Sequence, residues 1–292
     1  MQNSLAPDVM FPNLGIQITN LPREAFTLFG ISVYWYGILI TLGVLCGVLY
    51  AYFEARRTDQ NPEIYLDFAV VAIITSIIGA RIYYVIFSWD LYRDNLLLMF
   101  NLRLGGLAIY GGIIAAIITA YFYAKIKKLD LPVIVDTCVP GLVIGQAIGR
   151  FGNFFNREAF GGYTNSLFAM RYLAEDVPNI PPEVSQHMVV YNGMNYIQVQ
   201  PTFLYEAVGC LLIFILLNIY KTRKKFDGEL FFIYLIGYGF IRTIIEGMRT
   251  DQLLLWGTNM AVSQILSVVA VVFGVGMIIW ARRKVRTGTV ER

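Results

Sequence analysis

Along this chain, apolar residues repeatedly run for the length of a membrane crossing, and polar residues gather between the runs. Seven runs stand out, at about 33–54, 65–88, 105–124, 131–153, 202–220, 229–249 and 259–281. Each is close to the ~20 residues that carry a helix across about 30 Å of hydrocarbon. The pattern predicts an all-α integral membrane protein with seven transmembrane helices, the whole chain forming one membrane domain. The run at 105–124 is the least regular, because Gly105, Gly106, Gly111 and Gly112 permit close helix packing or a break. The one large connection, 154–201, contains Pro178, Pro181, Pro182 and Pro201, with Tyr191-Asn192-Gly193 near its end. It reads as a small folded lobe with a hairpin at Asn192–Gly193, its minor core drawn from Phe160, Phe168, Tyr172, Val189, Tyr191 and Tyr196.

Composition agrees with this class. The chain is 57% hydrophobic and 15% charged, whereas soluble domains carry about 25% charged residues. No basic segment followed by an apolar stretch and a cleavage site opens the chain, so no cleaved signal peptide is expected. Cys46, Cys138 and Cys210 all fall within runs, which suits free thiols rather than a disulfide or a metal site. His187, the single histidine, lies in the lobe.

Charge placement sets the expected topology. Alternate connections hold Arg56, Arg57, Lys125, Lys127, Lys128, Lys221, Arg223, Lys224 and Lys225, and the tail adds Arg282, Arg283, Lys284, Arg286 and Arg292. The opposite side has only Arg23, Arg93, Arg103, Arg157 and Arg171. The positive-inside rule then places the N-terminus outside, the C-terminus in the cytoplasm and the lobe on the extracytoplasmic face.

Four arginines remain, Arg81, Arg150, Arg242 and Arg249, each near the outer end of a predicted span. Charge at membrane depth is costly and marks functional sites. On the sixth span, Arg242, Glu246 and Arg249 share one helical face, with two positive charges to one negative. Arg150 and Asn153 lie one turn apart on the fourth, a helix thinned by Gly145, Gly149 and Gly152. Asn156, Arg157 and Glu158 follow. A guanidinium presents a planar fork of donors to phosphate, so the cluster points to an outward-facing site for a phosphate-bearing lipid. Tyr36 by default belongs to an aromatic belt, and Glu206 reads as a helix N-terminal carboxylate.

The stretch Gly149-Arg150-Phe151-Gly152-Asn153-Phe154-Phe155-Asn156-Arg157-Glu158 resembles the signature of the bacterial prolipoprotein diacylglyceryl transferases, G-R-x-G-N-F-x-N-x-E. The resemblance extends through WYG at 35–37, GARIYYV at 79–85, LGGLAIYGG at 104–112, QPTFLYE at 200–206 and GYGFIRTIIEGMRTD at 237–251. It implies transfer of the diacylglyceryl group of phosphatidylglycerol to the lipobox cysteine thiol of a prolipoprotein, in the bacterial plasma membrane. The expected partners are that lipid and the precursor's signal peptide, with no nucleic acid, metal or other cofactor. Carried over by position, Arg150 and Arg242 contact the lipid phosphate. Asn153, Asn156, Glu158 and Gly161 shape the signature loop, Glu246 orients the arginine face, and Tyr36 and Tyr238 line the lipid site. Arg81 and Arg249 are counted with the substrate-binding set.

Two positions depart from the family pattern. Tyr110 stands where many members have a histidine proposed as the base, and Gln200 and Phe203 stand where histidine and glutamine are usual. A neutral tyrosine is a weak base, with an ordinary pKa near 10. Tyr110, Glu158, Glu246 and the substrate phosphate are the open candidates for receiving the thiol proton. A non-catalytic phospholipid-binding membrane protein is the alternative class. A solute transporter would need a charge path to the other face, and the inner halves of the spans are nearly free of charge.

Overall fold

The computed structural model describes residues 6–102, 105–255, 257–258 and 260–287. Among the described residues, seven helices are long and apolar enough to cross a membrane. They are α1 (Trp35–Arg57), α2 (Glu63–Phe87), α3 (Ile109–Lys127), α4 (Leu131–Asn156), α6 (Thr202–Tyr220), α7 (Glu229–Met248) and α8 (Val262–Arg286), with a four-residue α5 (Pro182–Ser185) in the lobe. The protein is therefore a mostly helical, multi-pass membrane protein. Its chain forms two compact units, one within Met1–Gly47 and Val139–Arg292, the other Val48–Cys138.

In the first unit α1 meets the middle of α4 backbone to backbone, through Gly43 and Gly47. A Cβ on Gly43 would lie 2.7 Å from the Gly145 carbonyl, and one on Gly47 2.8 Å from that of Gly141. Hydrocarbon tails are as apolar as leucine, so helices in lipid associate through close packing of this kind. Helix α7 packs between α6 and α8 by the same means. Its Gly239 faces Ser267 and Val271 of α8, and Ile241 covers Gly209 of α6.

The lobe is β-structure. Strands β1 (Val9–Phe11), β2 (Ile16–Ile18), β5 (Met170–Leu173), β6 (Val189–Tyr191) and β7 (Met194–Val199) form an antiparallel sheet in the order β2-β1-β5-β7-β6. The N-terminal segment is thus part of the lobe, which the apolar pattern did not signal. The hairpin expected at Asn192–Gly193 joins β6 to β7, and both turn residues have positive φ, 50° and 78°, the requirement of a type I′ turn. A second hairpin, β3 (Glu24–Leu28) and β4 (Ile31–Tyr34), leads directly into α1.

The lobe core joins the sheet to helix ends. Val9, Met170, Tyr172, Ile197 and Val199 bury together with Phe154 of α4 and Phe203 of α6, whose rings lie 4.9 Å apart. Tyr172 donates to the Phe154 carbonyl at 3.3 Å, and burial pushes its phenol well above the ordinary value, a shift the nearby Arg157 only partly offsets.

In the second unit, α2 and α3 pack through Gly79 and Gly111, where either Cβ would overlap the facing backbone, and Thr75 and Thr119 share a 2.8 Å hydroxyl contact. Helix α3 begins at Ile109, later than the apolar run suggests, because Gly105 and Gly106 take φ of 75° and 81°. At the other end of this unit, Ala51, Ala55, Tyr65, Ala124 and Ile134 form a small core, and Tyr123 donates to the Ile64 carbonyl at 2.9 Å. Cys46, Cys138 and Cys210 are free.

A Gly43→Ile substitution is expected to destabilise the protein by about 1–3 kcal/mol through overpacking. Thermal unfolding in detergent measures this, with Gly276→Ile as the control, since a Cβ there meets nothing within 4 Å. Equal midpoints for the two variants would contradict the glycine-to-glycine contact.

Candidate functional site

The site is assembled at one end of three helices of the first unit. Helix α4 ends in a tight reversal: Arg157 N donates to the Phe154 carbonyl at 3.2 Å and Glu158 N to that of Asn153 at 3.1 Å, the Schellman pattern. Its left-handed residue is Arg157 (φ 55°) rather than glycine, at a conformational cost of about 1–2 kcal/mol. The buried guanidinium holds it there, donating to the Leu21 carbonyl at 2.8 Å and pairing with Asp176 at 3.1 Å.

Residues 159–162 then join the other two helices. Gly161 N donates to the Gln200 carbonyl at 3.0 Å and Gly162 N to the Met248 carbonyl at 3.1 Å. The Thr202 hydroxyl donates to the Ala159 carbonyl. A side chain at Gly161 would press on Gln200 Cβ and the Met248 carbonyl, each 2.9 Å from its Cβ. Glycine is needed here for close approach, not for an unusual φ.

Inside this frame, Glu206, in the first turns of α6, is 2% exposed. Its Oε1 lies 2.7 Å from Arg150 Nη2 and accepts from the Tyr238 hydroxyl at 3.1 Å, while its Oε2 lies 3.2 Å from Arg242 Nη1. Arg242 Nη2 pairs with Glu246 Oε2 at 2.5 Å, one turn along α7. Arg150 Nη2 also donates to the Tyr238 oxygen at 3.3 Å. Two guanidiniums therefore meet two carboxylates. The net positive charge expected from the α7 face alone is cancelled, because Glu206 joins from α6 and Arg249 pairs with Asp251 at 2.7 and 2.9 Å.

The arginines nevertheless keep donors. The carboxylates engage Nη2 of Arg150 and both Nη atoms of Arg242, and among the described residues no acceptor meets Nε or Nη1 of Arg150, or Nε of Arg242. Buried carboxylates fix the guanidinium planes, and the remaining N–H groups are directed for an anion. This arrangement lowers the cost of burying cations and preorganises donors for growing negative charge.

The other expected site residues divide. Asn153 and Asn156, on the last turn of α4, both donate to Glu158 Oε1, at 3.1 and 3.0 Å. This fastens the exposed carboxylate over the helix end. The Tyr36 ring lies against the bare backbone of Gly152. Arg81 is held by backbone carbonyls. It belongs to the second unit, where its guanidinium donates to the carbonyls of Leu98, Met99, Asn101, Gly105 and Gly106 at 2.7–3.1 Å. Those five bonds use up its donors, and it holds the α2–α3 connection in shape rather than offering a free guanidinium. Tyr110, also of the second unit, opens α3 with its ring 6.5 Å from that of Tyr83. His187 stacks on Tyr163 at 4.4 Å. Glu206, at the end of the QPTFLYE segment, is more than a helix N-terminal carboxylate: it joins both arginines, and its place in that segment is the one signal of this in the sequence.

Fold and site define a multi-pass membrane protein with two arginines held by buried carboxylates at one end of three of its helices. The family model of prolipoprotein diacylglyceryl transferase matches residues 23–280. Curated relatives include proteins of Finegoldia magna, 43% identical over 87% of this chain and 94% of the relative, and of Listeria welshimeri, 42% identical over 93% and 94%. A protein of Clostridioides difficile is 38% identical over 93% of this chain and all of its own length. Each is named phosphatidylglycerol–prolipoprotein diacylglyceryl transferase. The chain belongs to the prolipoprotein diacylglyceryl transferase family.

Replacing Glu206 by Gln leaves two partly buried guanidiniums without their shared counter-ion, and should cost about 3 kcal/mol. Thermal unfolding in detergent tests this. A midpoint equal to wild type would show that Glu206 does not hold the cluster.

Proposed function

We propose that this protein transfers the diacylglyceryl group of phosphatidylglycerol to the lipobox cysteine thiol of a prolipoprotein, the first step of bacterial lipoprotein maturation. The observation that carries the reading is the pair Arg150 and Arg242, held by Glu206 and Glu246 with N–H donors left over. The sulfur attacks the glycerol carbon that bears the phosphate, a C–S bond forms as the C–O bond breaks, and glycerol phosphate leaves with the electron pair. Its charge passes from about −1 toward −2. Donors aimed at the phosphate therefore bind the transition state more strongly than the ground state, which is the condition for catalysis.

The supporting cast follows from position. Asn153 and Asn156 hold Glu158 at the rim, Gly161 lets the signature loop meet α7, and Tyr36 and Tyr238 give the lipid an aromatic wall with a polar edge. Arg249, paired with Asp251, stands at the same end of α7. The excess of Lys and Arg in alternate connections supports a plasma-membrane protein with its N-terminus outside and the site toward the extracytoplasmic side. There an anionic headgroup and a signal-peptide cysteine are both present. The thiol proton goes to Tyr110, to Glu158 or Glu246, or to the departing phosphate.

Purified protein, phosphatidylglycerol and a lipobox peptide should yield a diacylglyceryl adduct on the cysteine by mass spectrometry. Arg150→Ala and Arg242→Ala should lower the rate by at least about a hundredfold, the scale of losing a preorganised donor to developing charge, while still inserting and folding. Turnover near wild type in either variant rejects the phosphate assignment. Tyr110→Phe should reduce the rate and shift its pH profile if the phenol moves the proton; a wild-type profile removes Tyr110 from the mechanism.

A further inference from the structure

One polar pair of the first unit lies beyond the cluster described above. Gln146 precedes Arg150 by one turn on α4, and Tyr234 precedes Tyr238 by one turn on α7, so each shares a helical face with a member of the cluster. Gln146 Nε2 meets the Tyr234 oxygen at 2.9 Å, one rung beneath the Arg150–Tyr238 contact. A turn of helix separates the rungs by about 6 Å, in the direction away from the lobe and into the apolar span. The Tyr234 ring stacks on that of Tyr238 at 5.6 Å and 14°, which fixes the height of its hydroxyl.

The pair does not satisfy itself. Gln146 Oε1 is buried without a partner, and among the described residues no acceptor receives the Tyr234 hydroxyl hydrogen. Turning the amide over lets the phenol donate to Oε1 but leaves the NH2 group unbonded instead. In either orientation a hydrogen-bond donor is left over, in a surrounding where an unmet polar group is expensive. Buried polar groups that the protein leaves unpaired are the means by which a site rejects a ligand lacking the matching atom.

We infer that Gln146 and Tyr234 form a subsite for an ester carbonyl of the lipid substrate. The inference rests on the transferase reading, which places the phosphate at Arg150 and Arg242. The ester carbonyls of a glycerophospholipid lie a few bonds from its phosphate on the acyl side, and they accept hydrogen bonds without donating any. The rung next to the arginines, toward the middle of the span, presents a spare donor to such a group. The subsite thereby selects diacyl over dialkyl lipids and sets the depth at which the reacting glycerol carbon lies relative to the arginines.

The test compares phosphatidylglycerol with its ether-linked dialkyl analogue of equal chain length, which keeps the carbon–oxygen bond that breaks but lacks both carbonyls. With a lipobox peptide as acceptor, wild type should favour the diacyl lipid in kcat/KM by roughly fivefold, the worth of one such hydrogen bond. Tyr234→Phe and Gln146→Leu should each bring the ratio toward one, a change that general loss of fold, lowering both rates together, would not produce. Equal use of both lipids by wild type, or an undiminished preference in both variants, overturns the subsite. No adduct from wild type with either lipid overturns instead the transferase reading beneath it.

Discussion

Glu206 is the group on which the first unit turns. Two guanidiniums within helices of spanning length are largely shielded from solvent, and the cost is offset by opposite charge at contact distance. Glu206 supplies it to both at once, from a third helix, with an exposure of 2%. Its position ties α4, α6 and α7 together by charge, beside the hydrogen bonds that Gln146 and Arg150 of α4 make to Tyr234 and Tyr238 of α7. A carboxylate shared between two arginines also leaves each with N–H groups that no acceptor meets among the described residues.

Such a cluster works only if the three helix ends stay in register. The frame that keeps them there is largely backbone. Residues 157–162 reverse the chain and hydrogen-bond to the start of α6 and the end of α7, and the β-lobe packs on the end of α4 and the start of α6 through Phe154, Phe203 and Tyr172. The strain at Arg157 is tolerated because its side chain is locked by Leu21 and Asp176. One residue thus both closes the helix and draws the N-terminal strands to the lobe.

The second unit uses an arginine for a different end. Arg81 lies at the same predicted depth as Arg150, yet its neighbours are loop carbonyls, not carboxylates. Saturating five carbonyls satisfies a segment that forms no helix of spanning length, a need that polar backbone near a bilayer always imposes. Depth alone does not decide what an arginine pairs with; the packing around it does.

Much was legible in the sequence because it depends on local periodicity. Runs of spanning length marked the seven helices, Asn192–Gly193 marked a turn that demands positive φ, and the spacing of Arg242 and Glu246 put them on one face, where they pair. Arg150, Asn153 and Glu158 were visible for the same reason, as polar groups out of place beside an apolar run. Periodicity encodes height and face along one helix, and it is silent about which other helix that face meets. The union of Glu206 with Arg150 and Arg242, the diversion of Arg249 to Asp251 and of Arg81 to carbonyls, and the addition of residues 9–18 to the lobe sheet were all decided by packing. Each joins groups distant in sequence, and its energy exists only once burial has removed the water that would otherwise separate them.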